Sequence, residues 1–142
     1  MATAERTISI RRPVDQVFRF LADGRTATQW RSAVIEVSKA SGDGVGAVYR
    51  QAVRGPGGRA VDADYEITAL QPDTRIAFRT IAGPVRPTGE FILEAMGDAT
   101  ILTFKLEAAL AGWKRLVFGR LVQSTMDAEM AALDQLREVL ER

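Results

Sequence analysis

Two tyrosines, a short row of carboxylates and one glycine-rich segment are the groups in this sequence with chemistry to offer. Tyr65 shares an alternating face with Val61, Ala63 and Ile67. A phenol on an apolar face needs a partner, either a structural acceptor or a ligand carbonyl that it orients. Tyr49 and Gln51 alternate on one face of a neighbouring segment, which is either cavity or solvent. Either phenol is a weak candidate for acid–base work. Asp62, Asp64 and Glu66 follow one another on the other face of the Tyr65 segment. Three carboxylates invite a metal or an acid–base pair, but they lie opposite the apolar face with Arg79 nearby, as on a solvated charged face. A calcium loop wraps its oxygens around a turn, which a straight strand does not do. Glu90 and Glu94 read the same way, and no metal is expected. Gly42-Asp43-Gly44-Val45-Gly46 has the glycines of a phosphate loop, yet it leads into a strand and no Lys-Ser/Thr follows. Turn chemistry accounts for it.

What is missing narrows the chemistry further. The 142 residues include no histidine and no cysteine. That removes thiolate catalysis, disulfides, the commonest general base and the commonest transition-metal ligand. No cofactor is expected. Nineteen basic residues against eighteen acidic ones leave a net charge of +1, too little to steer the chain to nucleic acid. Charges or glycines interrupt every apolar run before it could span a bilayer, so no integral membrane association is expected. Met1–Arg12 lacks the apolar stretch of a secretory signal. The expectation is a soluble cytoplasmic protein with one domain over residues 1–142.

The elements that must position these side chains follow from periodicity. Thr7–Arg11 alternates as a short strand. Pro13 then suits the first turn of a helix carrying Val14, Val17, Phe18 and Leu21 on one face, ending near Asp23-Gly24. A second short helix covers Thr26 to Trp30. Strands are predicted over 34–39, 46–54, 60–70, 74–81, 86–95 and 99–109, separated by glycine, proline and aspartate turns. A tight turn between Leu70 and Thr74 sets Glu66 opposite Arg79 and Ile67 opposite Phe78. In the last hairpin, Phe91 opposite Phe104 sets Glu90 opposite Lys105. From about Trp113 the pattern is helical to the end, one helix of roughly 40 Å. Its apolar residues run Leu116, Leu121, Ala128, Ala132, Leu136 and Val139, with Val122, Met126, Met130, Leu133 and Leu140 beside them. The basic run Lys114, Arg115 and Arg120 reads as a solvated face. The sheet has one apolar face, and the long helix is the element available to cover it.

Several short motifs stand in a telling order: Ile10-Arg11-Arg12-Pro13 with Val17-Phe18, Leu21-Ala22-Asp23, Trp30 with Val34, and Gly44-Val45-Gly46. Leu70-Gln71-Pro72-Asp73-Thr74-Arg75, Gly97-Asp98-Ala99-Thr100, Gly112 and the Leu133…Leu136…Leu140 ending follow. In this order they resemble the polyketide cyclase/dehydrase family of the START-like (SRPBCC, Bet v 1-like) superfamily. The resemblance covers about Thr7 to Glu141. It implies an α+β helix-grip fold, in which a curved antiparallel sheet of about seven strands wraps a long C-terminal helix, with two short helices after the first strand. It also implies an elongated cavity between sheet and helix, floored by side chains of that helix. Within that frame Trp30, Tyr49, Tyr65, Ile67, Phe78, Phe91, Leu93, Phe104, Val117, Leu121 and Ser124 are the candidate ligand contacts.

Such a fold hosts many roles, and three readings stay open. The first is a binder of a hydrophobic or aromatic small molecule, polyketide- or lipid-like. The second is a cofactor-independent polyketide cyclase, aromatase or dehydratase using the same cavity, with shape folding the chain and Tyr65 or Tyr49 moving protons. The third is a protein-interaction module without ligand, its cavity filled by Trp30, Phe78, Phe91 and Phe104. A monomer or a homodimer fits each of them.

Overall fold

Alternation from Ala2 to Ile10 builds the first edge of a large sheet. The computed structural model describes residues 2–55, 58–110 and 112–142, with the side chains of all of these except 113–118. The strands are β1 (Ala2–Ile10), β2 (Val34–Ser41), β3 (Val48–Arg54), β4 (Ala60–Asp62), β5 (Tyr65–Gln71), β6 (Arg75–Thr80), β7 (Thr88–Met96) and β8 (Ala99–Ala108). They form a curved antiparallel sheet in the order β1-β8-β7-β6-β5-β3-β2, with the short β4 paired to β3 off this path. Helix α1 (Val14–Ala22) and a 3-10 helix over Gly24–Gln29 follow β1, while α2 (Trp113–Ala131) and α3 (Leu133–Glu141) close the chain.

The registers inferred from charge and ring pairing hold. Glu66 faces Arg79 and Ile67 faces Phe78, while Glu90 faces Lys105 and Phe91 faces Phe104. The Glu90 carboxylate, however, takes its ion pair from Arg75 at 2.7 Å, and Lys105 reaches Glu5 at 3.6 Å.

The first strand starts at Ala2 and not at Thr7, and two elements differ in kind from the periodicity reading. The strand expected over 60–70 is broken at Ala63-Asp64. There the Asp64 carboxylate accepts the Gln51 backbone N–H at 3.0 Å, taking a donor that a continuous ladder would give to a carbonyl. The terminal helix is two segments joined at Ala132, not one. Arg6 explains the joint: its guanidinium donates to the Met130 carbonyl at 3.0 Å and to the Asp134 carboxylate at 2.7 Å. A side chain inserted into a helical ladder is a recognised cause of a bend.

The core is densest where α1 and α3 meet the sheet. Ile10, Val17, Leu102, Leu133 and Leu136 are fully buried there, and buried Thr100 donates its hydroxyl to the Arg12 carbonyl at 2.8 Å. Toward α2 the packing opens.

Candidate functional site

The opening is a cavity of about 340 Å³ between the sheet and α2, rimmed by the 3-10 helix and the Pro84–Pro87 loop. Cross-strand register makes its wall aromatic. Phe91 on β7 stacks on Phe104 of β8, centroids 4.4 Å apart and planes at 11°. Trp30 meets both edge-on at 6.2 and 6.4 Å. Phe78 on β6 lies 6.3 Å from Phe91 and 5.7 Å from Tyr65, and Tyr65 stacks on Tyr49 at 5.1 Å. Six rings thus run continuously across five strands to the end of the 3-10 helix. Gly89, opposite Phe78 in the ladder, leaves the space that Phe78 occupies: a Cβ there would fall 2.5 Å from the ring. Gly24 does the same for Tyr65, whose hydroxyl would overlap any Cβ at that position.

A buried polar cluster interrupts the apolar lining. Arg31 donates through Nε to Glu129 Oε2 at 2.7 Å and through Nη2 to Glu129 Oε1 at 2.9 Å. Its Nη1 reaches Gln51 Oε1 at 3.3 Å, and Gln51 Nε2 donates to the Ala63 carbonyl at 3.3 Å. Arg31, Gln51 and Glu129 all line the cavity. Burial works against the Arg31 charge, but the facing Glu129 carboxylate and its hydrogen bonds outweigh that penalty and hold the guanidinium above its ordinary pKa. Tyr65 also lines the cavity, and burial pushes its phenol well above the ordinary value of 10.0. Among the described residues no hydrogen bond engages its hydroxyl. It therefore stays protonated at neutral pH and can donate to a guest, but it is no base. At the rim, Asp23 is held below the usual carboxylate range by its hydrogen bonds from Arg25, whose backbone N–H it also caps at 3.1 Å.

Seven of the candidate contacts line this cavity: Trp30, Tyr65, Ile67, Phe78, Phe91, Phe104 and Leu121. Tyr49 is buried but sits behind Tyr65, and Leu93 is buried in the closed part of the core. Ser124 is exposed and absent from the lining, which corrects its place among the contacts, while Leu121 still reaches the cavity. Among the described residues, the stripe that α2 turns inward is Val122, Met126, Glu129 and Met130, one residue and so about 100° around the helix from Leu121. The side chain of Val117 lies outside the described residues, as do those of Lys114, Arg115 and Leu116, while Arg120 is exposed. The carboxylate row does not assemble: Asp62 is exposed at the rim, Asp64 bonds the Gln51 backbone and Glu66 pairs with Arg79 at 2.7 Å. Among the described residues no group of acids could hold a metal ion.

Arg31 and Glu129 are the buried ion pair of the cavity wall that the residue patterns did not bring forward. The signal was there in Glu129, a carboxylate between Met126 and Met130 with Leu133 four residues on. An acid on an apolar stripe demands a buried cation.

The architecture is shared with known proteins. The family model described as polyketide cyclase / dehydrase and lipid transport matches residues 1–141. A START superfamily protein from Mycobacterium smegmatis superposes with a TM-score of 0.79 at 15% identity, covering 99% of this chain and 98% of that one. The Zhui aromatase/cyclase from Streptomyces sp. R1128 gives 0.70 at 20% identity over 96% of this chain and 94% of that chain. The di-domain ARO/CYC StfQ from the steffimycin biosynthetic pathway gives 0.78 at 12% identity, over 99% of this chain and 50% of that longer one. These likenesses show the helix-grip fold. No curated protein matches the sequence. No helix among the described residues is long and apolar enough to cross a membrane.

Proposed function

The chain belongs to the polyketide cyclase / dehydrase and lipid transport family, and from that premise we propose that it binds a hydrophobic or aromatic small molecule, polyketide- or lipid-like, between the sheet and the C-terminal helices. The observation that carries this reading is the ring-lined cavity of about 340 Å³ with one polar cluster in its wall, within the size range of small-molecule sites. Flat apolar guests gain about 25 cal/mol for each Å² taken out of water, and the rings of Trp30, Phe91 and Phe104 offer faces and edges for stacking. Tyr65 and Arg31 then orient a guest oxygen. The four rings that an interaction module without ligand would pack into a closed core instead surround open space, which weighs against that role. With this reading goes a single domain over residues 1–142, working in the cytoplasm as a monomer or homodimer.

A thermal-shift screen with fatty acids, sterols, flavonoids and aromatic polyketides tests it. A guest present at 100 times its Kd adds about 2.7 kcal/mol to the folded state, which for a chain of this length raises Tm by roughly 8 °C. A rise confined to one chemical class supports the reading, and no rise across the panel overturns it.

One observation favours turnover as a second reading. The protonated Tyr65 hydroxyl and the Arg31 guanidinium share the cavity wall, so a poly-ketone guest would find two donors to polarise its carbonyls while the cavity shape holds it folded. Such a cyclase or aromatase would need no cofactor. On a substrate found by the screen, Tyr65→Phe should lower turnover by about a hundredfold. Full turnover in that variant would remove Tyr65 from the mechanism.

A further inference from the structure

We infer that the Arg31–Glu129 pair makes the cavity choose its guest by charge, admitting neutral aromatic ketones and turning away carboxylates of the same shape. The inference rests on the cavity being a ligand site.

Its starting point is where the pair sits. Every other ion pair among the described residues keeps at least one side chain 41% or more exposed, whereas Arg31 and Glu129 are 19% and 10% exposed. A buried pair seldom stabilises a fold better than apolar residues of equal volume. Its place in the cavity wall, away from the closed core, therefore points to the guest.

Donors and charges together give the selectivity. A guanidinium carries five N–H donors. Two are spent on the two oxygens of Glu129 and one on Gln51. A neutral carbonyl can accept from what remains, or from Tyr65, without disturbing the pair. A guest carboxylate on those donors sets a second negative charge beside Glu129 with one guanidinium to neutralise both, and if it displaces Glu129 instead it leaves that acid unpaired on the apolar face of α2. The other charges on the wall offer no substitute. Asp23 is bound to Arg25 at 2.9 Å, and Arg54 and Asp62 are exposed at the rim. Glu129 is thus a specificity residue: it cancels the charge that would otherwise draw anions into the cavity.

The test uses two naphthalene probes of nearly equal shape, 2-acetylnaphthalene and 2-naphthoate, titrated at neutral pH into the wild type and Glu129→Gln. The wild type should bind the ketone about tenfold or more tighter than the carboxylate. Glu129→Gln should reverse that order, and naphthoate should raise the Tm of this variant more than the ketone does, since it supplies the missing anion to Arg31. Equal binding of both probes by the wild type, or an unchanged ratio in Glu129→Gln, overturns the charge selection and leaves the cavity reading standing. If neither probe binds the wild type the inference falls, and if the ligand screen is also silent the cavity reading falls with it. Should Glu129→Gln fail to fold even with naphthoate, Glu129→Asp serves instead. Its shorter reach loosens the pair, so the ketone-to-carboxylate ratio should narrow, and an unchanged ratio overturns the inference.

Discussion

The two C-terminal helices cover the same sheet in opposite ways. Helix α3 seals it. Leu133 and Leu136 are fully buried, and polar ties fix the helix to the start of the chain: the Arg11 backbone N–H donates to Glu141 at 2.8 Å, Arg12 to the Arg142 carbonyl at 2.7 Å and Arg137 to the Ser9 carbonyl at 3.0 Å. Helix α2 leaves space. It offers Val122, Met126 and Glu129 to the interior while Leu121, on the cavity lining, stays 42% exposed. One end of the grip spends its apolar surface on the protein's own core, and the other holds rings and one ion pair around a void. The apolar contribution to stability should reside at the first end and guest recognition at the second.

Leu136→Ala gives the largest test of that division. Removing a fully buried leucine costs about 2–5 kcal/mol, read as a loss of Tm, with guest affinity almost unchanged at temperatures where the variant is folded. An equally large loss of affinity would break the comparison. Next is Glu129→Gln, which leaves Arg31 buried without its counter-charge and should cost about 3 kcal/mol. The double variant Arg31→Met/Glu129→Met should recover most of that loss in denaturant unfolding. If the double variant is as unstable as the single one, the cost lies in packing and not in the unpaired charge.

Tyr65 gives a smaller, pH-dependent effect. Burial raises its pKa above 10.0, so above that pH the unfolded chain releases a proton that the folded chain keeps. The folded state then binds more protons, and stability falls as pH rises. The contribution is fully present below pH 10 and is lost as alkali climbs toward the folded value. Tyr65→Phe should flatten that part of the stability curve and delete the latest-ionising phenol from the tyrosinate absorbance titration. A Tyr65 that ionises at its ordinary value would mean the cavity is wet at that point. Leu121→Ala should be the mildest for the fold, under about 1 kcal/mol because the side chain is already half in water. Leu121→Trp should fill the mouth and weaken guest binding.

Much of the sheet was legible because its register rests on pairs that sequence displays. Glu66 with Arg79 and Phe91 with Phe104 satisfy both faces at once, and a one-residue slip would bury the charges. The break at Ala63-Asp64 was not legible, since it depends on which donor the Asp64 carboxylate finds on β3. The inward face of α2 was also hidden. Leu121, Val122, Met126, Ala128, Met130, Ala131 and Ala132 put apolar atoms on nearly every side, so periodicity alone could not choose between adjacent stripes. Strand alternation put Phe78, Phe91 and Phe104 on the apolar face of the sheet, but it left Tyr49 open between cavity and solvent and says nothing of Trp30, which ends the 3-10 helix. Arg31 and Glu129 lie 98 positions apart, and a pairing of that range is a property of the folded chain.

Nuclear Overhauser contacts from bound 2-acetylnaphthalene to the protein test the central claim most directly. The account expects contacts from the naphthalene protons to the rings of Trp30, Phe91 and Phe104 and to the methyls of Val122 and Met126. Contacts only to exposed surface residues, or a bound probe that touches Leu102 and Leu136 at the sealed end, would contradict it.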